Sequence, residues 1–416
     1  MQSPRHAVPF VFVTVLLDMI GFGIVMPVLP DLIIEITGKP LASAAALNGY
    51  LLTVYALLQF LFAPLLGSLS DRYGRRPVLL VSLAAYAVNF LLAGLATTLA
   101  WLVIGRMLTG VAGATHATAH AVIADVTEPE KRAQNFGLLG MALGLGFIFG
   151  PGIGGLIGEF GPRAPFYAAA ALALANCVYG YVAVPETLPL EQRRPLEAKR
   201  ANPFGAVARI SRFPALFGLA IVMLIHNLGH HVYPSIWAFF GQERFDWGSR
   251  EVGLSLTLVG TMMALSQGLL IRLVMPRLGS ARTAMLGFFA ALLAYSGFAI
   301  VETVPVLAAL ILLSAVGNLL GPSVQSIMSN QVPQNEQGEL QGVLASLGSL
   351  SAIVGPLLMT QLFAAFTDNT GLYLPGAPFV ASALLTALAL GLFVRHCWHE
   401  IVRGPTPSVV ENQSAG

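Results

Sequence analysis

Gly67-Ser68-Leu69-Ser70-Asp71-Arg72-Tyr73-Gly74-Arg75-Arg76 is an island of charge and turn formers between two long apolar stretches, Tyr50 to Leu66 and Pro77 to Ala96. A helix needs about 20 apolar residues to cross bilayer hydrocarbon, so each flank is long enough for one span and the island is a short loop at a membrane face. Three arginines in so short a loop mark that face as cytoplasmic. Asp71 is placed to cap a helix end and to pair with arginines of the same or a neighbouring loop. Gly67, Asp71, Arg72, Gly74, Arg75 and Arg76 therefore read as a gate element, joined by Asp125, Glu128, Glu130 and Arg132 of the next cytoplasmic loop. Alternatively, the arginines only enforce topology.

The rest of the chain agrees with a membrane reading. Of its 416 residues 56% are hydrophobic and 10% charged, whereas soluble domains carry about a quarter charged. Mean hydropathy is +0.75. Twelve apolar stretches follow one another, near 9–34, 44–66, 77–97, 99–124, 134–158, 164–184, 214–240, 251–274, 283–302, 305–328, 339–366 and 373–395. With the N-terminus inside, 17 of the 22 Lys and Arg fall at cytoplasmic segments and four outside, at Lys39, Arg163, Arg244 and Arg250. That bias orients the chain with both termini cytoplasmic. The first stretch is too long, and too acidic with Asp18 and Asp31, for a cleavable signal, and is read as the first span.

The island has an echo 205 residues later, where Arg72 maps to Arg277 and Gly74 to Gly279. The same offset carries Gly137, Gly150 and Pro151 of the fifth span onto Gly342, Gly355 and Pro356 of the eleventh. Midway lies the longest polar connection, Pro185 to Pro214, with Glu186, Glu191, Arg193, Arg194, Glu197, Lys199, Arg200, Arg209 and Arg212. The fold expected is all-α and membrane-integral: twelve transmembrane helices in two pseudo-symmetric six-helix bundles. Residues 1–184 form the first bundle, 185–213 a cytoplasmic linker, 214–398 the second bundle and 399–416 a tail. Parallel duplication of this kind builds many secondary transporters, with substrate held between the halves near mid-membrane.

Charged groups inside spans are costly and mark candidate sites. Asp18 lies halfway along the first span, where a carboxylate either loads and releases a proton or is a buried structural partner for a neighbouring helix. Arg106 is the one base deep in a span and needs a partner, for which Asp18 or a substrate anion are candidates. His116 and His120 are four apart in the fourth span, and His226 and His230 repeat that spacing in the seventh. Each pair can carry protons, hold an anionic or metal-chelating ligand, or simply make polar helix contacts. Gln59, Asn89, Asn227 and Gln267 are further cavity candidates or interhelical glue. Gly140, Gly144, Gly146, Gly150, Pro151 and Gly154 suit close helix approach and bending more than ligand binding. Gly150 to Gly155 formally fits G-x-G-x-x-G but follows no strand.

Several of these stretches resemble a known family. The island resembles the signature loop of the major facilitator superfamily. Leu17-Asp18-Met19-Ile20-Gly21-Phe22-Gly23-Ile24-Val25-Met26-Pro27-Val28-Leu29-Pro30 is similar to the first helix of its twelve-helix drug:proton antiporters. The run from Gly144 to Gly155 resembles their fifth-helix motif. Gly105-Arg106-Met107-Leu108-Thr109-Gly110, Ile123-Ala124-Asp125-Val126-Thr127, Gln242 to Trp247 and Leu340 to Leu344 look like the tetracycline efflux branch. The resemblance implies export of a small amphipathic compound in exchange for protons by rocking of the two halves, with Arg106 bearing on proton coupling. It also implies a bacterial-type inner membrane and a monomer. Tetracycline exporters of this branch typically hold an acid in the third helix and another in the ninth. Here the third holds Asn89, and the ninth, Thr283 to Ile300, has none, which puts tetracycline itself in question. Rivals on the same fold are a metabolite or nutrient carrier and a non-transporting membrane sensor.

Other classes are disfavoured. No P-loop pattern G-x-x-x-x-G-K-[ST] occurs, so ATP is not the expected energy source. Two cysteines and no zinc-type Cys/His spacing give no redox or metal role. No cofactor beyond the proton, no nucleic-acid partner and no enzymatic chemistry are expected.

Overall fold

A computed structural model describes residues 7–128, 131–193, 216–333, 336–368 and 371–403, with the side chains of 132, 133, 400, 402 and 403 left out. The expected Arg132 contact, Glu130, most of the 185–213 linker and most of the 399–416 tail therefore lie outside the described residues. Every regular element among the described residues is helical.

Among the described residues, nine stretches are helical, long and apolar enough to cross a bilayer. The difference from twelve is one of continuity. The fourth span is Leu99–Ala112 plus Thr115–Val126, the seventh Phe217–His230 plus Val232–Phe245, each broken into pieces too short alone. The eighth and ninth run on as helix from Ser249 to Ile300, through a π turn at Ser266–Leu270 and across Gly279. The first span, Ala7–Val25 plus Leu29–Thr37, and the tenth, Val304–Gly317 plus Leu320–Asn330, are also broken. Unbroken spans are the second Leu41–Tyr73, third Arg75–Leu95, fifth Arg132–Gly158, sixth Ala164–Ala183, eleventh Gln337–Ala365 and twelfth Ala377–Arg403.

The duplication is visible in the backbone. The fourth-span break at Gly113 and Ala114 and the tenth-span break at Asn318 and Leu319 are 205 residues apart. Gly74 at φ 107°, ψ 161° and Gly279 at φ 76°, ψ 164° share a left-handed extended conformation. Only glycine reaches that region without steric cost. The opening island is mostly not a loop: the second helix runs on to Tyr73, and Gly74 alone makes the turn. Ser, Asp and Arg continue a helix into water readily, so charge marked the membrane face but not the helix end.

By packing, the chain groups into two compact units. The first takes in the described residues of Met1–Gly205, Val232–Thr261 and Ala352–Pro375; the second those of Ala206–His231, Met262–Ser351 and Gly376–Gly416. In the first unit, Val232–Thr261 of spans seven and eight and Ala352–Pro375 of span eleven pack onto the first six spans. Gln242 Nε2 donates to Asp31 Oδ1 at 2.9 Å, Asn48 Nδ2 to Ser235 O at 3.2 Å and Thr53 Oγ1 to Ile353 O at 3.1 Å. Two of the four cations expected outside are paired locally, Arg163 on Glu35 at 2.8 Å and Arg250 near Glu159 at 3.5 Å. The second unit is centred on an apolar core that includes Phe288, Val324, Val343 and Phe393.

Candidate functional site: a buried carboxylate and a broken helix

A broken helix in hydrocarbon frees backbone groups that must find partners. At the fourth-span break those partners come from spans two and three. Ser82 Oγ donates to Ala112 O at 2.6 Å and accepts the Ala114 N–H at 3.1 Å, while Gln59 Nε2 reaches Gly113 O at 3.5 Å. Gln59, expected as a cavity residue, is therefore occupied with supporting the break. The break also sets His116 in the first turn of the inner helical piece.

His116 is the neighbour of Asp18. Its Nε2 lies 4.0 Å from Asp18 Oδ2, and that oxygen is buried with no hydrogen-bond partner. Of the two candidates for Arg106, Asp18 is not in ion-pair contact with it. The guanidinium instead interacts electrostatically with the Tyr55 and Tyr86 hydroxyls, which face each other at 3.2 Å and also feel Asp18. Arg106 opens onto two small cavities of the first unit. One is walled by Phe22, Met26, Asn48, Tyr233 and Trp237 among others; the second includes Asn89 and Phe166. Asn89 and Arg106 thus line one small cavity together. His120 is exposed on the inner piece and its ring sits 5.4 Å from that of Phe136.

The remaining cavity candidates belong to the second unit. His226 and His230 rings are 6.0 Å apart, His230 hydrogen-bonds Asn318 at the tenth-span break, and Asn227 is half-buried beside them. Gln267 is exposed in the π turn, next to Ser266, whose buried Oγ has no partner.

The fifth span splits its glycines between two neighbours. A Cβ at Gly150 would lie 2.7 Å from Gly23 Cα, and one at Gly146 or Gly154 would collide with Met19 or the Ile24 carbonyl of the first span. On another face, Gly152 and Gly155 meet Thr257 and Gly253 of the eighth span. Thr257 Oγ1 donates to Ile148 O at 3.0 Å, close to where Pro151 interrupts the ladder. Gly140 and Gly144 have open space beside them, so they take no part in this packing.

At the helix ends joined by Gly74, expected at the cytoplasmic face, Arg75 joins Asp71 at 2.6 Å and Asp125 at 2.9 Å. Arg72 stacks over Tyr73, Arg76 binds the Tyr181 carbonyl, and Gly67 lies within the second helix beside open space. Asp71, Arg75 and Asp125 therefore meet, while the other two arginines serve elsewhere. Sequence reading placed Glu186 only in the linker. Its carboxylate accepts the backbone N–H groups of Arg75 at 2.9 Å and Arg76 at 3.3 Å, capping the third span, and those of Thr187 and Leu188 at 3.0 Å. Its position directly after the sixth span was the available signal. Glu186→Ala is expected to cost about 1–3 kcal/mol of stability by orphaning these donors, read by thermal unfolding in detergent; Glu191→Ala, exposed, is the neutral control.

Comparison with known proteins places this architecture. The chain is 37% identical over 397 residues to the class C tetracycline resistance protein of Escherichia coli, covering 95% of this chain and 98% of that one. It is 28% identical over 377 residues to multidrug resistance protein 2 of Bacillus subtilis, covering 90% of each. The solved structure of the human organic anion transporter MFSD10 (TETRAN) superposes with a TM-score of 0.69 at 26% identity, over 94% of this chain and 100% of that one. With the Major Facilitator Superfamily profile matching residues 11–356, the chain belongs to that superfamily, in the branch of the tetracycline resistance proteins.

Proposed function

We propose that the protein exports a small amphipathic compound from the cell in exchange for protons, with Asp18 as the proton carrier and Arg106 as its electrostatic counterpart in the same half. The observation that carries this is the bare Asp18 Oδ2, buried in the middle of the first span beside a titratable imidazole. A carboxylate with no fixed bond is free to change protonation state as access alternates between the two sides. The relatives named for tetracycline and multidrug resistance support export of a drug-like compound. Asn89 in the third span and the acid-free ninth span argue against handling a cationic chelate as those relatives would.

Function in this reading resides in a single chain in a bacterial-type inner membrane, with both termini cytoplasmic and only the proton as coupling partner. Rocking involves the two repeat-defined bundles, 1–184 and 214–398. The glycine-lined contacts of the fifth span form the bearing, and the Asp71, Arg75 and Asp125 cluster braces the cytoplasmic ends.

Everted membrane vesicles test this. Dyes and antibiotics, ethidium among them, should accumulate in a vesicle-acidic pH gradient and be released when the gradient collapses, whereas the tetracycline chelate should not. Growth inhibition of a drug-sensitive host should shift for the same compounds. A broad panel with no shift and no gradient-dependent movement would reject drug export in favour of a metabolite or nutrient carrier, and an unchanged phenotype in Asp18→Asn and Arg106→Ala would favour the sensor reading.

A further inference from the structure

We propose that His116 and His120 form a proton relay that connects the buried Asp18 carboxylate to water on the cytoplasmic side. The proposal rests on the proton-carrier reading of Asp18 and adds the route by which that proton leaves.

Exposure falls in steps along this line. The Asp18 side chain is 3% exposed and the His116 side chain 36%, while His120 is exposed outright. His120 lies one turn further along the same helical piece, and residues four apart on a helix share a face. Because the fourth span runs from outside to inside, that turn lies towards the cytoplasm. The inner piece packs against spans one, two, three and five. An imidazole whose open edge met acyl chains would be an uncompensated polar group, so the open edges of both histidines are assigned to water.

Three more buried oxygens lack partners nearby in the chain: Thr14 Oγ1, one turn before Asp18; Thr115 Oγ1, adjacent to His116; and Asn176 Oδ1, whose Nδ2 donates to Thr14 O at 2.9 Å. Orphan polar atoms of this kind are the ones ordered water satisfies. They form a polar seam through spans one, four and six, centred on Asp18. No other group competes for the role. The Tyr55 and Tyr86 hydroxyls sense both Asp18 and Arg106, and they bond each other at 3.2 Å. The fifth span has no titratable side chain among its described residues. Those of the sixth are engaged elsewhere: Tyr167 on Gly94, Cys177 on Leu80, Tyr179 against Phe10 and Tyr181 beneath Arg76.

In the release step the Asp18 O–H bond breaks and an N–H bond forms at His116 Nε2, giving an imidazolium. His116 then loses its Nδ1 proton to His120 or an intervening water, and His120 passes one on to bulk water. Atoms and charge balance without any other reactant. At 4.0 Å the first transfer needs a small side-chain shift or one bridging water.

The test is a pH jump on the full chain in lipid nanodiscs, following the infrared band of the protonated carboxyl that disappears in Asp18→Asn. His116→Gln, which keeps a polar side chain without a titrating ring, should slow the band's response to the jump on the order of a hundredfold. His120→Gln should slow it less, and Thr14→Val, which only narrows the seam, less still. Added imidazole should restore part of the rate in His116→Gly. Unchanged rates in both histidine variants would overturn the relay while leaving Asp18 as the carrier. Absence of any Asp18-dependent band across the accessible pH range would reject both readings, and drug movement in vesicles is scored separately.

Discussion

Asp18→Asn is expected to fold and insert normally and to reduce gradient-driven export by on the order of a hundredfold or more. The amide is nearly isosteric with the carboxyl but cannot exchange a proton, so the substitution separates coupling from packing. Folding should survive because Asp18 Oδ2 makes no hydrogen bond that the change would break. Removing an ionisable group from an apolar wall also removes a desolvation cost. Everted vesicles give the rate, and thermal unfolding in detergent gives the stability. Exchange of substrate across the membrane without a gradient should persist in the variant, since that step needs no net proton movement. Wild-type export by Asp18→Asn would reduce the residue to a structural carboxylate and leave the proton to the histidines.

Gly154→Leu should abolish transport and lower the amount of folded protein. Even a methyl group at this position runs into the Ile24 carbonyl of the first span. What must move is backbone rather than a flexible side chain. Overpacking a fitted interior typically costs about 1–3 kcal/mol, with more expected when main chains must separate. Gly154→Ala should fall between the wild type and the leucine variant. Gly140→Ala provides the control, because no atom of another segment lies within contact of its Cβ position. Two glycines of one motif are thus predicted to behave oppositely. Folded yield by fluorescence-detected size exclusion and vesicle transport rates would show it; equal tolerance of alanine at both positions would dismiss the span-one contact as a mechanical element.

Composition and spacing revealed much of the architecture. Apolar runs of bilayer length gave the spans, and the 205-residue offset anticipated the paired left-handed glycines. The breaks at Gly113 and Asn318 were missed because their flanks are as apolar as an unbroken span, and hydropathy does not report where a backbone ladder is interrupted. Within the site, Asp18 and Arg106 stood out because charge in hydrocarbon is rare. Their partners did not, since Ser82, Tyr55 and Tyr86 are ordinary residues whose role depends on which helices adjoin. Arg75 could be picked out as a loop cation, yet its preference for Asp71 and Asp125 over other acids depends on how three helix ends converge.

The interruptions in spans one, four, seven and ten have an evolutionary consequence. Main-chain amides and carbonyls freed from the helical ladder at those points demand polar partners, as Ser82 and Gln59 supply in the fourth span, so a polar patch comes with the backbone itself. Side chains around such a patch are free to drift, acquiring or losing acids as Asn89 illustrates, without the scaffold having to reinvent a wet interior. New cargo then requires redecoration rather than refolding.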